Sequence, residues 1–343
     1  MKAIKTWKIS VLAAAAILML TLGVIGCADE AAEEEEDVEL VFADAGWESI
    51  RVHNHIAAII LEEGYGGYQK ETMSGSTPAT FTELRRGGID IYMEVWKENF
   101  LEEYNEAVEQ GEIEVLSVNF DDNRQGLYVP TFVIEGDEER GIEPMAPDLE
   151  SVFDLPEYWE LFQDPEDSSK GRIVGSPSEW AVDEILEQKV ETYELDEYYN
   201  YFRPGSEATL NTAIVDAYES GEPIIAYNWE PTWIMGKYDM TLLEEPEFDE
   251  ETYYEEGYAT EIPSMEVPVA VHSSVAEEYP EVVDFLSHYE TSSAVTNEAL
   301  AYMEENNVDE REAAKWFLRE YEEIWTEWVD EEVADNVRAV IQE

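Results

Sequence analysis

Residues 222–233 read Glu-Pro-Ile-Ile-Ala-Tyr-Asn-Trp-Glu-Pro-Thr-Trp, a short apolar run that ends in a tryptophan and a proline. The apolar and partly β-branched residues 224–227 predict a buried strand, which Pro231 ends because proline cannot donate to a ladder. Trp229 is therefore expected at the end of a strand. Open α/β sheets bind their ligands at the carboxyl ends of their strands, so we predict a ligand site there.

Three other tryptophans follow predicted strands in the same way. Trp47 comes after the alternating run 38–43, Trp96 after the run 89–95 and Trp180 after the run 171–176. Strand ends at one edge of a sheet lie close together in α/β folds. The sequence therefore predicts that these strand ends converge on one aromatic pocket.

The first 26 residues have the pattern of an export signal. Lys2, Lys5 and Lys8 precede an apolar segment, residues 9–25, that is short for a membrane span. Its end, Val-Ile-Gly-Cys at 24–27, resembles the bacterial lipoprotein signal, in which the cysteine is lipidated after cleavage. We predict a signal peptide over residues 1–26 and a lipid anchor at Cys27, which places the protein at the outer face of the cytoplasmic membrane. An ordinary cleaved signal is the alternative.

The chain is strongly acidic, with 82 Asp and Glu residues against 19 Lys and Arg and a formal net charge of −63. Residues 27–37 are mostly acidic and lack apolar side chains to bury, which predicts a disordered tether. About 300 residues remain, enough for two lobes. Nucleic acids and anionic membrane surfaces require basic patches, so neither is an expected partner. This balance favours a protein adapted to salty surroundings, where salt screens the repulsion.

Residues for covalent or metal chemistry are scarce. The chain has four histidines and one cysteine, and it contains neither a Gly-x-Ser-x-Gly elbow nor a phosphate loop. His53 and His55 lie two apart on a predicted helix and point in different directions, so we predict no metal site. No cofactor is expected either. Paired carboxylates leave a secreted glycoside hydrolase as the alternative from another class.

The tryptophan-rich strand ends are suited to bind a cation that cannot donate hydrogen bonds. Indole faces attract a quaternary ammonium group by roughly 0.5 to 2 kcal/mol each. Ser178 is a predicted helix cap, so backbone N–H groups near Ala181 and Val182 would face a ligand carboxylate. Thr77 is a predicted cap of another helix, with Pro78 as its first residue. A methylated amino acid such as glycine betaine combines the cation with the carboxylate.

Four segments resemble the substrate-binding lipoproteins of glycine betaine, proline betaine and choline ABC importers. They are Asp-Ala-Gly-Trp at 44–47, Gly-Ile-Asp-Ile-Tyr-Met-Glu-Val-Trp at 88–96, Ser-Pro-Ser-Glu-Trp at 176–180 and Tyr-Asn-Trp-Glu-Pro-Thr at 227–232. The resemblance implies an α/β, two-lobed periplasmic-binding-protein-like fold of type II with two crossover segments. It implies a ligand site formed by Trp47, Trp96, Tyr128, Trp180 and Trp229, with the backbone of Ala181 and Val182 holding a carboxylate.

The same resemblance implies an ABC permease and its ATPase as partners. The lobes are expected at residues 38–129 plus 268–343 and at residues 130–267. Two positions depart from the family pattern. Phe100 stands where some members have a histidine that helps to hold the carboxylate, and Glu179 stands where glycine is usual. An anion beside the carboxylate site leaves choline as the alternative ligand.

Overall fold

The computed structural model describes residues 37–342. The predicted signal peptide, the predicted lipid anchor at Cys27 and all but the last residue of the predicted tether lie outside these residues. Within residues 37–342, no helix is long and apolar enough to cross a membrane.

Ten strands and fifteen α-helices are described along residues 37–342. The strands are β1 Val38–Asp44, β2 Tyr68–Ser74, β3 Ile91–Tyr92, β4 Ile113–Phe120, β5 Gln125–Pro130, β6 Gly171–Val174, β7 Tyr199–Phe202, β8 Ala226–Trp229, β9 Met240–Leu242 and β10 Val267–His272. The helices are α1 Glu48–Ile59, α2 Thr77–Arg86, α3 Leu101–Glu109, α4 Thr131–Glu135, α5 Leu155–Tyr158, α6 Val182–Thr192, α7 Glu207–Ser220, α8 Trp233–Lys237, α9 Glu250–Glu255, α10 Ser273–Glu278, α11 Pro280–Leu286, α12 Ser293–Asn306, α13 Glu310–Glu320, α14 Glu322–Trp325 and α15 Glu331–Ile341. A π-helical turn, Ile60–Tyr65, continues α1.

The strands form two mixed sheets, one for each lobe. The first sheet has the order β2-β1-β3-β10-β4, and the second has the order β7-β6-β8-β5-β9. In each sheet three neighbouring strands are parallel, and the strands that follow a crossing of the chain are antiparallel to their neighbours. The fold is therefore α/β with two lobes, as predicted.

Two crossings join the lobes, one between β4 and β5 and the other before β10. They run side by side, because Met265 N donates to Asn123 Oδ1 at 3.3 Å and Ser264 Oγ donates to the carbonyl of Asp121 at 2.6 Å. These side-chain bonds join the two segments that a change in lobe orientation would have to bend.

The first lobe boundary lies earlier than the sequence indicated. Residues 125–129, assigned above to the first lobe, form most of β5, which pairs with β8 and β9 of the second sheet. Pro130 is the last residue of β5 and ends the strand, where its missing N–H costs little, so it does not mark the crossing. The return boundary is close to the expected position, since β10 begins at Val267.

Excess negative charge is visible in the ion pairs of the surface. Arg338 alone contacts the carboxylates of Glu322, Glu331 and Asp335. With 82 acidic and 19 basic residues in the chain, most carboxylates cannot have a basic partner. Repulsion among them lowers the free energy of unfolding in dilute buffer.

We therefore expect the melting temperature to rise steeply with sodium chloride. Between about 0.1 M and about 1 M salt the screening length falls from about 10 Å to about 3 Å, which weakens repulsion between exposed carboxylates. Thermal unfolding followed by circular dichroism across this range measures the effect. A flat response would contradict the prediction, and glycerol at matched viscosity controls for a general solvent effect.

Candidate functional site

A cavity lies between the lobes, at the strand ends identified from the sequence. The cavity is small, with a volume of about 30 Å³, and both lobes contribute to its wall. The lining residues are Trp47, Thr77, Trp96 and Asn99 from the first lobe and Gln125, Trp180, Ala181, Val182, Tyr227 and Trp229 from the second. The structure thus brings together all four tryptophans that follow predicted strands.

The indole rings meet nearly at right angles. The ring centroids of Trp47 and Trp180 are 6.0 Å apart at 88°, and those of Trp180 and Trp229 are 4.9 Å apart at 87°. Tyr227 stacks on Trp229 at 5.7 Å and 17°, on the same strand. Perpendicular rings present faces to a small volume from several directions, which is the geometry that surrounds a compact cation.

A glycine with a positive φ precedes Trp47 where the two lobes meet. Gly46 has a φ of +102°, a conformation that residues other than glycine rarely adopt. A Cβ there would lie 3.4 Å from the indole nitrogen of Trp180, an ordinary van der Waals contact, so the backbone conformation is what favours glycine.

Glu94 does not line the cavity but holds two of its tryptophans from behind, a role that was not predicted from the sequence. Its carboxylate is fully buried, and Oε2 accepts hydrogen bonds from Trp47 Nε1 at 2.7 Å, Ser49 Oγ at 3.0 Å and Trp96 Nε1 at 3.3 Å. One carboxylate oxygen thus fixes the orientation of two cavity tryptophans. Its signal in the sequence is an acid within a buried run, two residues before a tryptophan.

The environment of Glu94 sets its charge. Burial raises its pKa to about 7, while the bonds from Trp47, Ser49 and Trp96 act in the opposite direction. Oε1 has no hydrogen-bond partner within residues 37–342 and lies 3.7 Å from His53 Nε2. Burial lowers the pKa of His53 to about 3, so this imidazole is neutral near pH 7 and cannot balance the carboxylate.

His53 itself is part of the core beneath the cavity. Its Nδ1 lies 2.8 Å from the hydroxyl of Tyr289 and its Nε2 lies 3.3 Å from Thr296 Oγ1. Among the described residues, no group of three His, Cys, Asp or Glu side chains could hold a metal ion.

The start of α6 supplies hydrogen-bond donors to the opposite wall. The helix begins at Val182 with Ala181 as its N-cap, and no side chain caps it. Ser178 is not the cap, because a turn over 178–180 precedes the helix, so that prediction is wrong. The backbone N–H groups of Ala181 and Val182 have no acceptor within residues 37–342. Both residues line the cavity, where free helix-start donors favour an anionic group.

Tyr128 does not line the cavity, although the sequence analysis placed it in the site. In the ladder of β5 and β8, Gln125 pairs with Trp229 and Tyr128 pairs with Ala226. Alternate residues of a strand point to opposite faces, so the face that carries Gln125 and Trp229 is not the face of Tyr128. A shift of one residue in the pairing of β5 with β8 would turn Tyr128 to the other face, and the sequence does not specify that register.

The two departures from the family pattern lie outside the cavity wall. Phe100 packs on Phe81, with ring centroids 4.7 Å apart. The side chain of Glu179 is exposed, and its backbone carbonyl accepts a hydrogen bond of 3.0 Å from the backbone N–H of Thr77 in the other lobe. Neither residue is among those that line the cavity, so the carboxylate of Glu179 does not enter it.

Solved structures and protein families match this fold over most of the chain. A choline-binding protein of an ABC transporter, solved in complex with choline, aligns with a TM-score of 0.69 at 20% identity over 88% of this chain and 98% of that chain. The lactococcal OpuAC, closed on glycine betaine, aligns with a TM-score of 0.66 at 16% identity over 86% of this chain and 100% of that chain. The fold is therefore that of the type II periplasmic binding proteins.

A family model gives the narrower assignment. The chain belongs to the OpuAC family, described as the substrate binding domain of ABC-type glycine betaine transport system, whose model matches residues 38–320. A trimethylamine N-oxide-binding protein of Pelagibacter ubique (strain HTCC1062) is 22% identical over 313 residues, which cover 90% of this chain and 96% of that protein. This is a family of transport substrate-binding proteins and not of enzymes, so the glycoside hydrolase alternative has no support.

Proposed function

We propose that this protein captures a quaternary ammonium osmolyte, with glycine betaine as the leading ligand, in the cavity between its lobes. The observation that supports this most directly is the set of four tryptophans around one cavity, two of them held by the buried carboxylate of Glu94. Each indole face contributes roughly 0.5 to 2 kcal/mol to binding of such a cation, and a buried carboxylate adds favourable charge. Ala181 and Val182 then hold the ligand carboxylate through their backbone N–H groups.

Choline and trimethylamine N-oxide are the alternative ligands, because relatives with this fold bind them. Both keep the cation contacts with the indole rings. Choline has no anionic group that could accept from the N–H groups at the start of α6. The oxygen of trimethylamine N-oxide carries negative charge, but it lies closer to the cationic nitrogen than the carboxylate of glycine betaine does. The free donors at Ala181 and Val182 therefore favour a ligand that has an anionic end.

Ligand delivery is proposed to depend on lobe closure. The bond between Thr77 N and the carbonyl of Glu179 spans the cleft, and a ligand in contact with both walls favours the state in which it forms. The closed form then docks on an ABC permease that works with its ATPase. We propose that a lipid on Cys27 anchors the protein at the outer face of the cytoplasmic membrane.

Calorimetric titration in high salt tests the proposal directly. Glycine betaine, proline betaine, choline and trimethylamine N-oxide are compared at equal ionic strength, with tryptophan fluorescence as a second readout. Binding of glycine betaine at micromolar concentrations with a shift in fluorescence is the expected result. The control ligand is 3,3-dimethylbutanoate, which has the shape of glycine betaine but no positive charge. If it binds as well as glycine betaine, or if no ligand binds, the proposed site is wrong.

A further inference from the structure

Thr77 carries a buried hydroxyl group whose hydrogen bonding is incomplete. The residue is the first of α2, and Ser76 caps that helix by accepting a hydrogen bond of 3.4 Å from Ala79 N. The prediction that Thr77 is the cap is therefore wrong, and its hydroxyl is not needed at the helix start. Thr77 is 3% exposed and lines the cavity, and its Oγ1 has no hydrogen-bond partner within residues 37–342.

Contact between the lobes holds Thr77 close to the start of α6. Its backbone N–H donates to the carbonyl of Glu179 at 3.0 Å, and Glu179 lies two residues before Ala181. The free N–H groups of Ala181 and Val182 line the same cavity as Thr77. One hydroxyl from the first lobe and two backbone donors from the second thus share one region of the wall.

Three groups in this region can donate and lack an acceptor within residues 37–342, namely the Thr77 hydroxyl and the N–H groups of Ala181 and Val182. The Oδ1 of Asn99 is also without a partner within these residues. A buried polar group without a partner is costly, so the group that fills this region has to accept several hydrogen bonds. A carboxylate or N-oxide oxygen accepts two or more, and the start of a helix favours its charge. The hydroxyl of choline carries no negative charge to meet this helix start. Asn99 also lines the cavity, but its amide can turn to donate or accept and so favours neither class.

We propose that Thr77 is a specificity-determining residue, which donates its hydroxyl proton to an anionic oxygen of the ligand and so selects zwitterionic ligands over simple cations. The inference rests on the proposed function and adds the chemical class of the preferred ligand. Because Thr77 and the N–H groups of Ala181 and Val182 come from different lobes, the anionic end of the ligand also bridges the cleft. A ligand without that end still contacts indole rings of both lobes but loses this second bridge.

Two substitutions at this position separate the hydroxyl from the shape of the side chain. Thr77→Val keeps the branched shape and removes the hydroxyl, whereas Thr77→Ser keeps the hydroxyl. Calorimetry with glycine betaine, trimethylamine N-oxide and the tetramethylammonium ion measures each variant in high salt. For T77V we expect affinity for the first two ligands to fall about tenfold to a hundredfold, which corresponds to one charge-assisted hydrogen bond. Tetramethylammonium affinity is expected to stay unchanged, and T77S is expected to match the wild type for all three.

The outcomes distinguish this inference from the proposed function. If the wild type binds none of the three ligands, the proposed function fails. If T77V loses affinity for tetramethylammonium and glycine betaine equally, Thr77 acts on folding or closure and the inference is overturned while the function stands. Unchanged glycine betaine affinity in T77V also overturns it. Thermal unfolding checks that T77V folds, and Thr77→Ala replaces it in the same comparison if it does not.

Discussion

Replacing Trp229 with alanine is expected to weaken glycine betaine binding by about tenfold to a hundredfold. The substitution removes a cation–π contact of roughly 0.5 to 2 kcal/mol together with part of the apolar wall. It also removes the ring that lies 4.9 Å from Trp180 and stacks on Tyr227, so two further aromatic side chains lose their support. Calorimetric titration of the variant in high salt measures the change in Kd.

Trp316 offers a matched control for this substitution. It lies on α13, stacks on Tyr302 with ring centroids 4.9 Å apart at 13°, and does not line the cavity. Trp316→Ala removes the same ring and is expected to lower the melting temperature without changing Kd. Trp229→Phe keeps an aromatic face and is expected to recover part of the lost affinity. Equal affinities of W229A and the wild type would remove Trp229 from the site.

The tryptophans of the site were predictable because each one follows its own strand. In an α/β fold the carboxyl ends of parallel strands lie at one edge of the sheet, so a local pattern reports a position in space. Trp229 ends β8, and Trp47, Trp96 and Trp180 come soon after β1, β3 and β6. The approximate start of α6 was also predictable from the sequence, but the residue that caps it was not.

Features that depend on pairing between distant segments were not predictable. Tyr128 was placed in the site, but the register of β5 against β8 turns it to the other face. The role of Glu94 depends on Trp47, which lies 47 residues away in the chain. A lone acid in an apolar run has many structural explanations, and only its three donors identify the role of this one. The first crossing was predicted at the wrong position for the same reason. Only its pairing with β8 and β9 shows that β5 belongs to the second lobe.

Carboxylates from both lobes meet near the start of α1, where burial raises their pKa values. Glu207, the first residue of α7, is buried, and burial followed by the charge of Glu48 raises its pKa well above the usual value. Burial also raises the pKa of Glu48 to about 7, with Arg51 acting against the shift and Glu304 and Glu310 adding to it. Burial in this structure makes both carboxyl groups bind protons more readily than exposed carboxyl groups do. An opening of the cleft that exposed them would therefore be opposed at lower pH.

Replacing Glu94 with glutamine is expected to weaken glycine betaine binding by tenfold or more and to change how binding depends on pH. Glutamine keeps an oxygen that can accept from Trp47, Ser49 and Trp96, so the rings stay in place while the charge is lost. A tenfold loss corresponds to about 1.4 kcal/mol, a modest value for a buried charge that lies behind the indole rings of the cavity. Glu94→Ala is the harsher change, because it leaves three buried donors without an acceptor and is expected to lower the melting temperature.

The sign of the pH effect follows from the raised pKa of Glu94, which burial brings to about 7 in the absence of ligand. Below that pH the carboxyl group is mostly protonated. A bound cation stabilises the ionised form, so binding at lower pH has to release the proton, and the contribution of Glu94 to affinity falls by up to about tenfold per pH unit. The charge of Glu94 is also one of the causes that raise the pKa of Glu207, so E94Q is expected to lower that pKa as well. His53 stays neutral over this range because burial lowers its pKa to about 3.

The difference between the two pH profiles therefore reports Glu94 together with the smaller change that the loss of its charge causes at Glu207. Kd for glycine betaine is measured by calorimetry for wild type and E94Q from about one pH unit above to about two units below the raised pKa, at constant ionic strength. The ratio of the two affinities is expected to be largest at the alkaline end and to approach one as the carboxyl group becomes protonated. Parallel profiles would mean that Glu94 keeps one charge state throughout. In that case the carboxyl group would position the indoles without adding a titrating charge to the site.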